Sequence, residues 1–187
     1  IFKNAPYPAQ NFASAISWYR LAAEKGDADA QYKLGQMFER GLGVPIDQDE
    51  AVTWYRKAAN SGRDDLQLKL AHMYETGDMV QQNQNEANGW YRKAAENGNV
   101  EAQFRLGKIY AQTIPPSFLG ALEWYRKAAL QGEINAQFQL GNMYSLGQGM
   151  EPDPAEAVKW FQLAAEGGQA YAQLNRGIVY GLGGNNT

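Results

Sequence analysis

Tryptophan recurs along this chain at nearly equal intervals, and no other feature of the sequence constrains the fold as strongly. Successive tryptophans are separated by 36, 36, 34 and 36 residues. A fixed period between about 20 and 50 residues is typical of repeat proteins, in which each unit stacks on its neighbours because it cannot bury its own apolar face. The repeated positions are Trp18, Trp54, Trp90, Trp124 and Trp160. The period therefore predicts a stack of similar units along the whole chain.

Each unit contains two recurring segments. The first surrounds the tryptophan and reads WYRKAA in the three central copies. The second follows it, as in AQYKLGQMF from Ala30 and AQFQLGNMY from Ala136, with Gln at its second position and an aromatic residue at its last. The apolar positions of the second segment, at offsets 0, 4, 7 and 8, fall on one face of a helix at about 100° per residue. We call the two elements the tryptophan helix and the glutamine helix.

Capping residues mark the ends of the predicted helices. A residue suited to N-capping stands seven positions before each tryptophan, and in three units a glutamate follows it, at Glu50, Glu86 and Glu156, as in a capping box. A glycine stands eight positions after each tryptophan, where a left-handed residue closes a helix. The predicted N-caps are Asn11, Asp47, Asn83, Ser117 and Asp153. The predicted closing glycines are Gly26, Gly62, Gly98, Gly132 and Gly168.

The glutamine helices are predicted to end before a second set of glycines. Connections of about 3 and about 6 residues then join the helices, and such short links leave room only for antiparallel neighbours. These later glycines are Gly41, Gly77, Gly147 and Gly183. The sequence therefore predicts an all-α fold of about ten helices.

Composition excludes several classes of function. The chain has 17 basic and 20 acidic residues and a net charge of −3, so it has no overall positive field to attract nucleic acid. It has no cysteine and one histidine, which excludes thiolate chemistry, disulfides and multi-histidine metal sites. No stretch approaches the roughly 18 consecutive apolar residues of a membrane span. We expect no nucleic-acid partner and no membrane insertion.

The repeated segments resemble the Sel1-like repeat family, whose units are related to tetratricopeptide repeats. The run from Ala30 to Gly62 is similar to a full unit of the family. The resemblance implies a right-handed α/α superhelix of about five 36-residue helix pairs, forming one solenoid domain over residues 1–187. An unpaired tryptophan helix at the start and an unpaired glutamine helix at the end suggest that the chain is trimmed from a longer array.

No catalytic motif accompanies the repeat. The sequence lacks Ser-x-x-Lys, Gly-x-Ser-x-Gly, a phosphate loop and His-Glu-x-x-His. His72 lies in a column that is polar in four of five units, which favours a solvent-facing histidine without a chemical role. The capping position of Asp47 and Asp153 explains these aspartates without calcium. We expect no enzymatic activity, no cofactor and no metal.

The resemblance implies a concave face that is lined by the glutamine helices and binds a protein or peptide. A row of basic residues at Lys33, Lys69 and Arg105 is similar to the basic clamp that holds a peptide carboxylate in related arrays. The C-terminal part of this face is neutral to apolar. The candidate partner-binding residues are Lys33, Gln36, Arg40, Lys69, His72, Arg105, Lys108, Gln139, Asn142, Tyr171, Asn175 and Ile178.

Two features of this face have a structural interpretation as well as a functional one. Acidic residues stand four positions before each cation of the row, at Asp29, Asp65 and Glu101, so a solvated ladder of i,i+4 ion pairs is favoured over a binding row. A column of large apolar residues could stack on sugars or peptides, but its helical spacing favours packing between repeats. That column contains Tyr32, Leu68, Phe104, Phe138 and Leu174.

These observations favour a non-enzymatic scaffold that binds a protein partner through many weak contacts on a preformed surface. From the resemblance we expect a monomeric bacterial protein of the periplasm or cell envelope, acting as a regulator or adaptor. An immunity protein that neutralises a secreted effector, and a component that organises exopolysaccharide export or envelope assembly, are the alternatives. A repeat fold does not choose among them, because such folds serve many functions.

Overall fold

A computed structural model describes residues 9–169, which form nine helices and contain no strand. The helices are α1 (Ala9–Glu24), α2 (Ala28–Arg40), α3 (Gln48–Asn60), α4 (Asp65–Thr76), α5 (Gln84–Glu96), α6 (Val100–Gln112), α7 (Phe118–Leu130), α8 (Ile134–Leu146) and α9 (Pro154–Glu166). The odd-numbered helices are the tryptophan helices and the even-numbered ones are the glutamine helices. The all-α prediction is confirmed. The last predicted glutamine helix, with its Gly183, lies outside the described residues.

Most of the predicted N-caps begin their helices. Asp47 accepts a hydrogen bond from the backbone N–H of Glu50 at 2.9 Å, and Asn83 and Asp153 cap α5 and α9 in the same way. Ser117 occupies the N-cap of α7, but its side chain makes no capping bond. The prediction is wrong for Asn11, which lies inside α1, because the helix formers Ala9 and Gln10 carry the helix past it.

The reciprocal half of the predicted capping box does not form. The backbone N–H of each described N-cap of a tryptophan helix donates instead to the carbonyl of the aromatic residue near the end of the preceding glutamine helix, so it is not available to a glutamate. These bonds join Asp47 to Phe38, Asn83 to Tyr74, Ser117 to Tyr110 and Asp153 to Tyr144. Glu50 accepts from the indole N–H of Trp54 at 2.9 Å instead.

Glycine closes the helices as predicted. The five glycines after the tryptophan helices have φ between 88° and 110°. The residue after each glycine donates its N–H to a carbonyl five positions back, as Asp27 does to Ala22 at 3.2 Å. Gly41, Gly77 and Gly147 have φ between 66° and 81° and close their glutamine helices.

Two contacts recur where helices pack. A helical glycine receives an aromatic ring of the following tryptophan helix, because a Cβ at Gly35, Gly107 or Gly141 would lie 2.4–2.5 Å from a ring carbon. The recurring glutamine is buried and donates to a carbonyl near the end of the preceding tryptophan helix at 3.0–3.3 Å. These glutamines are Gln31, Gln67, Gln103 and Gln137. Each of these bonds gives the buried amide nitrogen of a glutamine a hydrogen-bond acceptor, which a buried donor requires.

The chain divides into two compact units, residues 1–90 and residues 91–187, with the boundary inside α5. In the first unit α1 packs on α2, α2 on α3, and α3 on α4. In the second unit α6 packs on α7, α7 on α8, and α8 on α9.

Candidate functional site

The described candidate residues all lie on glutamine helices. Lys33 and Arg40 on α2 are exposed, and the others are half-buried. The half-buried set is Gln36 on α2, Lys69 and His72 on α4, Arg105 and Lys108 on α6, and Gln139 and Asn142 on α8. Tyr171, Asn175 and Ile178 lie outside the described residues.

In the first unit the candidate face is built on a pair of tyrosines. The rings of Tyr32 on α2 and Tyr55 on α3 are 5.7 Å apart, centroid to centroid. The guanidinium carbon of Arg63 lies 4.3 Å from the centroid of Tyr32, and Nζ of Lys69 lies 4.2 Å from that of Tyr55. Cations at this distance are attracted to the ring face. The tyrosine pair therefore holds two of the basic side chains in place.

Lys69 is part of a network with an acid that the sequence did not single out. Its Nζ lies 3.3 Å from Oε1 of Glu39, and the hydroxyl of Tyr55 donates to Oε2 of Glu39 at 2.6 Å. Burial acts to raise the pKa of Glu39, but the Tyr55 hydroxyl and the Lys69 ammonium outweigh it and hold that pKa below its usual value of 4.5. Burial and the bond to Glu39 raise the pKa of Tyr55 above its usual value of 10.0. Lys69 is thus engaged within the protein.

The predicted ladder of i,i+4 ion pairs is wrong in this unit. Asp29 and Asp65 both bind Arg63, each at 2.7 Å, instead of the lysines four positions after them. A guanidinium can hold two carboxylates with separate N–H groups, whereas the Lys69 ammonium lies against Glu39. One arginine therefore forms ion pairs with both Asp29 and Asp65.

The sequence does contain a signal for Arg63, because this residue interrupts a column of helix-capping side chains. At the equivalent position Asp27, Asn99 and Glu133 each cap the following glutamine helix through the side chain. Arg63 cannot accept a hydrogen bond, and Asp64, which takes the N-cap of α4, makes no capping bond. Glu39 had no comparable signal, because its partner Lys69 is 30 residues away.

Lys33 and Arg40 differ from the engaged cations. Neither forms an ion pair within residues 9–169, although the charge of Arg40 acts on Glu39, and Nζ of Lys33 lies 5.9 Å from the ring centroid of its neighbour Tyr32. Seven residues separate them, so they share one face of α2 at a rise of about 10 Å. Gln36 lies between them and donates to the hydroxyl of Tyr32 at 2.8 Å. The α2 face, defined by Lys33, Gln36 and Arg40, therefore has two cations available to a partner.

The second unit repeats the aromatic pairs without the acid. Phe104 pairs with Tyr125 at 5.8 Å, and Phe138 pairs with Phe161 at 5.7 Å, so these residues of the column, like Tyr32, pack on a ring of the following tryptophan helix. Ala111 stands where the first unit has Glu39. Burial alone raises the pKa of Tyr125 to about 12. The glutamine helices α6 and α8, which carry Ala111 and Ser145 at this position, therefore cannot supply the acid of this network.

The part of the chain that the structure describes shows no metal site around the single histidine. Nδ1 of His72 lies 3.6 Å from Oε2 of Glu75. Across residues 9–169 no three side chains among His, Asp and Glu cluster so as to hold a metal ion. Over the same range no helix is both long and apolar enough to cross a membrane.

The helix pairs coincide with the units of a known repeat. The sequence profile of the Sel1 repeat matches residues 7–27, 28–62, 65–99, 100–133 and 134–169. The chain belongs to the Sel1 repeat family. A full Sel1 unit pairs a glutamine helix with the tryptophan helix that follows it, so the ring pair of Tyr32 and Tyr55 lies inside one unit and not between repeats as predicted.

Solved structures of Sel1 repeat proteins share this fold. The chain is 37% identical to c5321, a protective antigen present in uropathogenic Escherichia coli strains, with a TM-score of 0.71 over 92% of this chain and 38% of that one. It is 33% identical to a Sel1 repeat protein from Oxalobacter formigenes, with a TM-score of 0.67 over 87% of this chain and 48% of that one. The chain thus spans less than half the length of either relative. A comparison with curated proteins finds no match.

Family membership carries a general expectation about function. Sel1 repeat proteins are generally non-enzymatic scaffolds for protein interactions. The stacked units present side chains on helices whose positions are fixed by buried glutamines and closely packed rings. A surface of this kind recognises a partner through distributed contacts.

Proposed function

We propose that this Sel1 repeat protein is a non-enzymatic scaffold that binds a protein partner on the concave face lined by its glutamine helices. The observation that supports this proposal is that four basic residues of the first compact unit fall into two groups. Lys69 and Arg63 are engaged by Glu39, Asp29 and Asp65, whereas Lys33 and Arg40 are exposed and without an ion pair within residues 9–169. The α2 face is therefore the part of the row that can bind carboxylates of a partner without breaking internal pairs.

The engaged residues support this role by holding the α2 face in position. Glu39 follows directly on the packed aromatic Phe38 and fastens α2 to α3 through Tyr55 and to α4 through Lys69. A surface that is ordered before binding loses less conformational entropy when the partner arrives. Lys33 and Arg40 thus stand on a helix whose position is already fixed.

The bacterial envelope is the proposed location. This location is the one expected from the family resemblance, and the 37% identical protein of Escherichia coli is a protective antigen. The roles of immunity protein and of export component remain predictions from the sequence.

A capture experiment with charge-reversed chains tests the proposal. The wild-type chain, immobilised at low density, is exposed to envelope extract of the producing bacterium, and recovered proteins are quantified by mass spectrometry. The test chain carries Lys33→Glu and Arg40→Glu. We expect the specific partner to be lost from this chain at least tenfold, and its recovery by the wild type to fall as salt is raised, because exposed charges are screened.

The matched control carries Lys25→Glu and Arg126→Glu, two exposed cations outside the glutamine helices. The two double variants change the net charge equally, so a loss caused by overall charge would affect both. Equal recovery of the partner by the two variants would show that the α2 face does not bind it. Turnover of any substrate by the wild type would contradict the non-enzymatic role.

A further inference from the structure

The second compact unit contains a buried tyrosine whose hydroxyl has no partner. Tyr125 on α7 is 4% exposed, and its hydroxyl forms no hydrogen bond within residues 9–169. Across the same residues, Oε1 of Gln31 is the one completely buried side-chain polar atom without a partner, so the hydroxyl of Tyr125 has contact with solvent. Because burial raises its pKa to about 12, this hydroxyl is protonated at neutral pH. It is therefore a hydrogen-bond donor that a ligand can reach.

The first unit shows which group binds at the equivalent hydroxyl. Tyr55 and Tyr125 each lie against a glycine of the preceding glutamine helix, where a Cβ would lie 2.4–2.6 Å from the same two ring carbons, Cδ1 and Cε1. Each also pairs with an aromatic ring of that helix, at 5.7 and 5.8 Å between centroids. The two tyrosines are thus held in the same way. The hydroxyl of Tyr55 donates to the carboxylate of Glu39 at 2.6 Å, so a carboxylate is the group that fits this position.

The second unit lacks the side chain that supplies this carboxylate. Ala111 stands at the repeat position of Glu39, is half-buried, and packs against the core cluster that contains Tyr125. Its side chain ends at Cβ, so it does not reach the place that the carboxylate of Glu39 takes in the first unit. A buried hydroxyl is stabilised by a hydrogen bond, and here the acceptor has to come from another molecule.

A cation lies one helical turn from this place. Lys108 precedes Ala111 by three residues on the same face of α6, at the position where the first unit has the neutral Gln36. Its Nζ lies 5.9 Å from the ring centroid of Phe104, the ring that pairs with Tyr125. In the part of the chain that the structure describes, Lys108 forms no ion pair. Relative to the first unit, an acid is lost here and a cation is gained.

The following glutamine helix contributes a third donor. Gln139 on α8 stands 14 residues after Tyr125, as Lys69 stands 14 residues after Tyr55, and α8 packs on α7. Among the residues that the structure describes, the side-chain amide of Gln139 has no hydrogen-bond partner. A hydroxyl, an amide and an ammonium all donate, and a carboxylate offers two oxygens that accept only.

We infer that Tyr125, Gln139 and Lys108 bind a side-chain carboxylate of the protein partner, which takes the place that Glu39 has in the first unit. The inference rests on the proposed function, because it names one group by which the partner is recognised. The hydroxyl and the amide donate to the carboxylate oxygens, and such bonds to a charged acceptor are stronger than bonds between neutral groups. The ammonium of Lys108 supplies the positive charge that Lys69 supplies to Glu39.

Nuclear magnetic resonance tests this site without the partner. The chain, isotope-labelled in its glutamine side chains, is titrated at constant ionic strength with N-acetylglutamate N-methylamide, whose one carboxylate is in the side chain. The signal of the Gln139 amide is identified by its loss in Gln139→Leu. We expect that signal to shift and to reach half-saturation at about 1–10 mM, as for one small group. In Tyr125→Phe the half-saturation concentration should rise at least about tenfold.

Three further probes define what the site selects. N-acetylglutamine N-methylamide, which has no charge, should leave the Gln139 signal unshifted. N-acetylglycine offers a terminal carboxylate, and inorganic phosphate offers an anion of another shape. Tighter binding of either would overturn the assignment to a side-chain carboxylate. An equal shift with the neutral compound, or no saturation with the acidic one up to about 100 mM, would overturn the site itself.

Capture from envelope extract tests the site with the partner. Ala111→Glu supplies the acid from within the chain, and we expect it to recover at least about tenfold less partner than the wild type. The control, Ser145→Glu, places the same charge at the same repeat position of α8, where the following ring is Phe161 and has no hydroxyl. Its recovery should stay within about twofold, because exposed charges alone have small effects. Tyr125→Phe should also lose the partner, and it tests the site even if Ala111→Glu does not fold.

The two experiments separate this inference from the proposed function. A partner that the wild type, Ala111→Glu and Tyr125→Phe recover equally would overturn the inference and leave the scaffold function supported. No captured protein, together with a saturable shift of the Gln139 signal, would contradict the scaffold function and support the carboxylate site.

Discussion

Gly107 and Gly89 both lie well inside helices, but only Gly107 faces an aromatic ring. A Cβ at Gly107 would lie 2.4 Å from Cδ1 and 2.6 Å from Cε1 of Tyr125. Carbon atoms in contact are normally about 3.5–4.0 Å apart, so the ring must move by about 1 Å. Gly89 on α5 is exposed and has no atom within 4 Å of the same position. Substitution by alanine therefore tests the packing of the Tyr125 ring together with helix propensity at Gly107, and helix propensity alone at Gly89.

The two substitutions share one contribution to stability and differ in a second. Replacing glycine by alanine inside a helix stabilises it by about 1 kcal/mol at both sites. Overfilling a packed core costs about 1–3 kcal/mol, and this applies to Gly107→Ala alone. We expect Gly89→Ala to raise the free energy of unfolding by about 1 kcal/mol. The free energy of unfolding of Gly107→Ala should lie about 1–3 kcal/mol below that of Gly89→Ala.

Urea unfolding followed by circular dichroism at 222 nm measures both variants. A further pair of chains carries Tyr125→Leu with and without Gly107→Ala, because a smaller side chain relieves the overlap. The alanine should then be less destabilising than it is opposite tyrosine. Equal stability of Gly107→Ala and Gly89→Ala would refute the packing of Tyr125 on Gly107 as the cause. The same holds if Gly107→Ala lowers the free energy of unfolding as much in the Tyr125→Leu chain as in the wild type.

The remaining predictions concern buried hydrogen bonds, acid stability and helix caps. Gln137→Leu removes a buried hydrogen bond to the carbonyl of Ala129, which keeps the backbone N–H of Gly132 as a donor, so it should destabilise by about 1 kcal/mol in urea. Gln139→Leu, half-buried on the same helix, should change stability by less than about 0.5 kcal/mol. Because its lowered pKa makes ionised Glu39 stabilising above pH 4.5, that contribution is lost as the pH falls below 4.5. Glu39→Gln should therefore flatten the decline in unfolding free energy below pH 4.5, and an unchanged slope would contradict the network. Asp153→Ala should lower the midpoint of thermal unfolding by removing about 1 kcal/mol of capping, while Ser117→Ala, whose hydroxyl makes no cap bond, should not; equal effects would contradict the cap assignment.

The helices and their ends could be predicted because their signals are local and repeated. A left-handed glycine or a capping aspartate acts on the turn it belongs to, so five copies of Gly26 and its equivalents fix the helix ends independently of tertiary structure. The predicted N-cap at Asn11 was wrong for a reason that is also local. The run of helix formers before it favours continuing the helix over starting it there.

The pairing of charged side chains could not be read in the same way. An acid four residues before a lysine is a local pattern, but Lys69 lies against Glu39 and Asp29 binds Arg63, pairs that are 30 and 34 residues apart in the sequence. Which of several nearby charges pair depends on the distances that packing creates, and differences of a few tenths of a kcal/mol among exposed pairs do not favour the local one. These contacts between distant residues decide which cations on α2 are without an ion pair, and the spacing of the basic row in the sequence does not reveal it.

The buried glutamines have a consequence for how a chain of this kind can change. Each one joins two helices through a buried side chain, so the connecting residues between them are needed only to close the first helix and to cap the second. Three of these connections read Lys25-Gly26-Asp27, Asn97-Gly98-Asn99 and Gln131-Gly132-Glu133 and share only the glycine. Substitutions can therefore accumulate at the connections and on the outward columns while the angle between neighbouring helices stays the same, and one framework can be adapted to a new partner without being refolded.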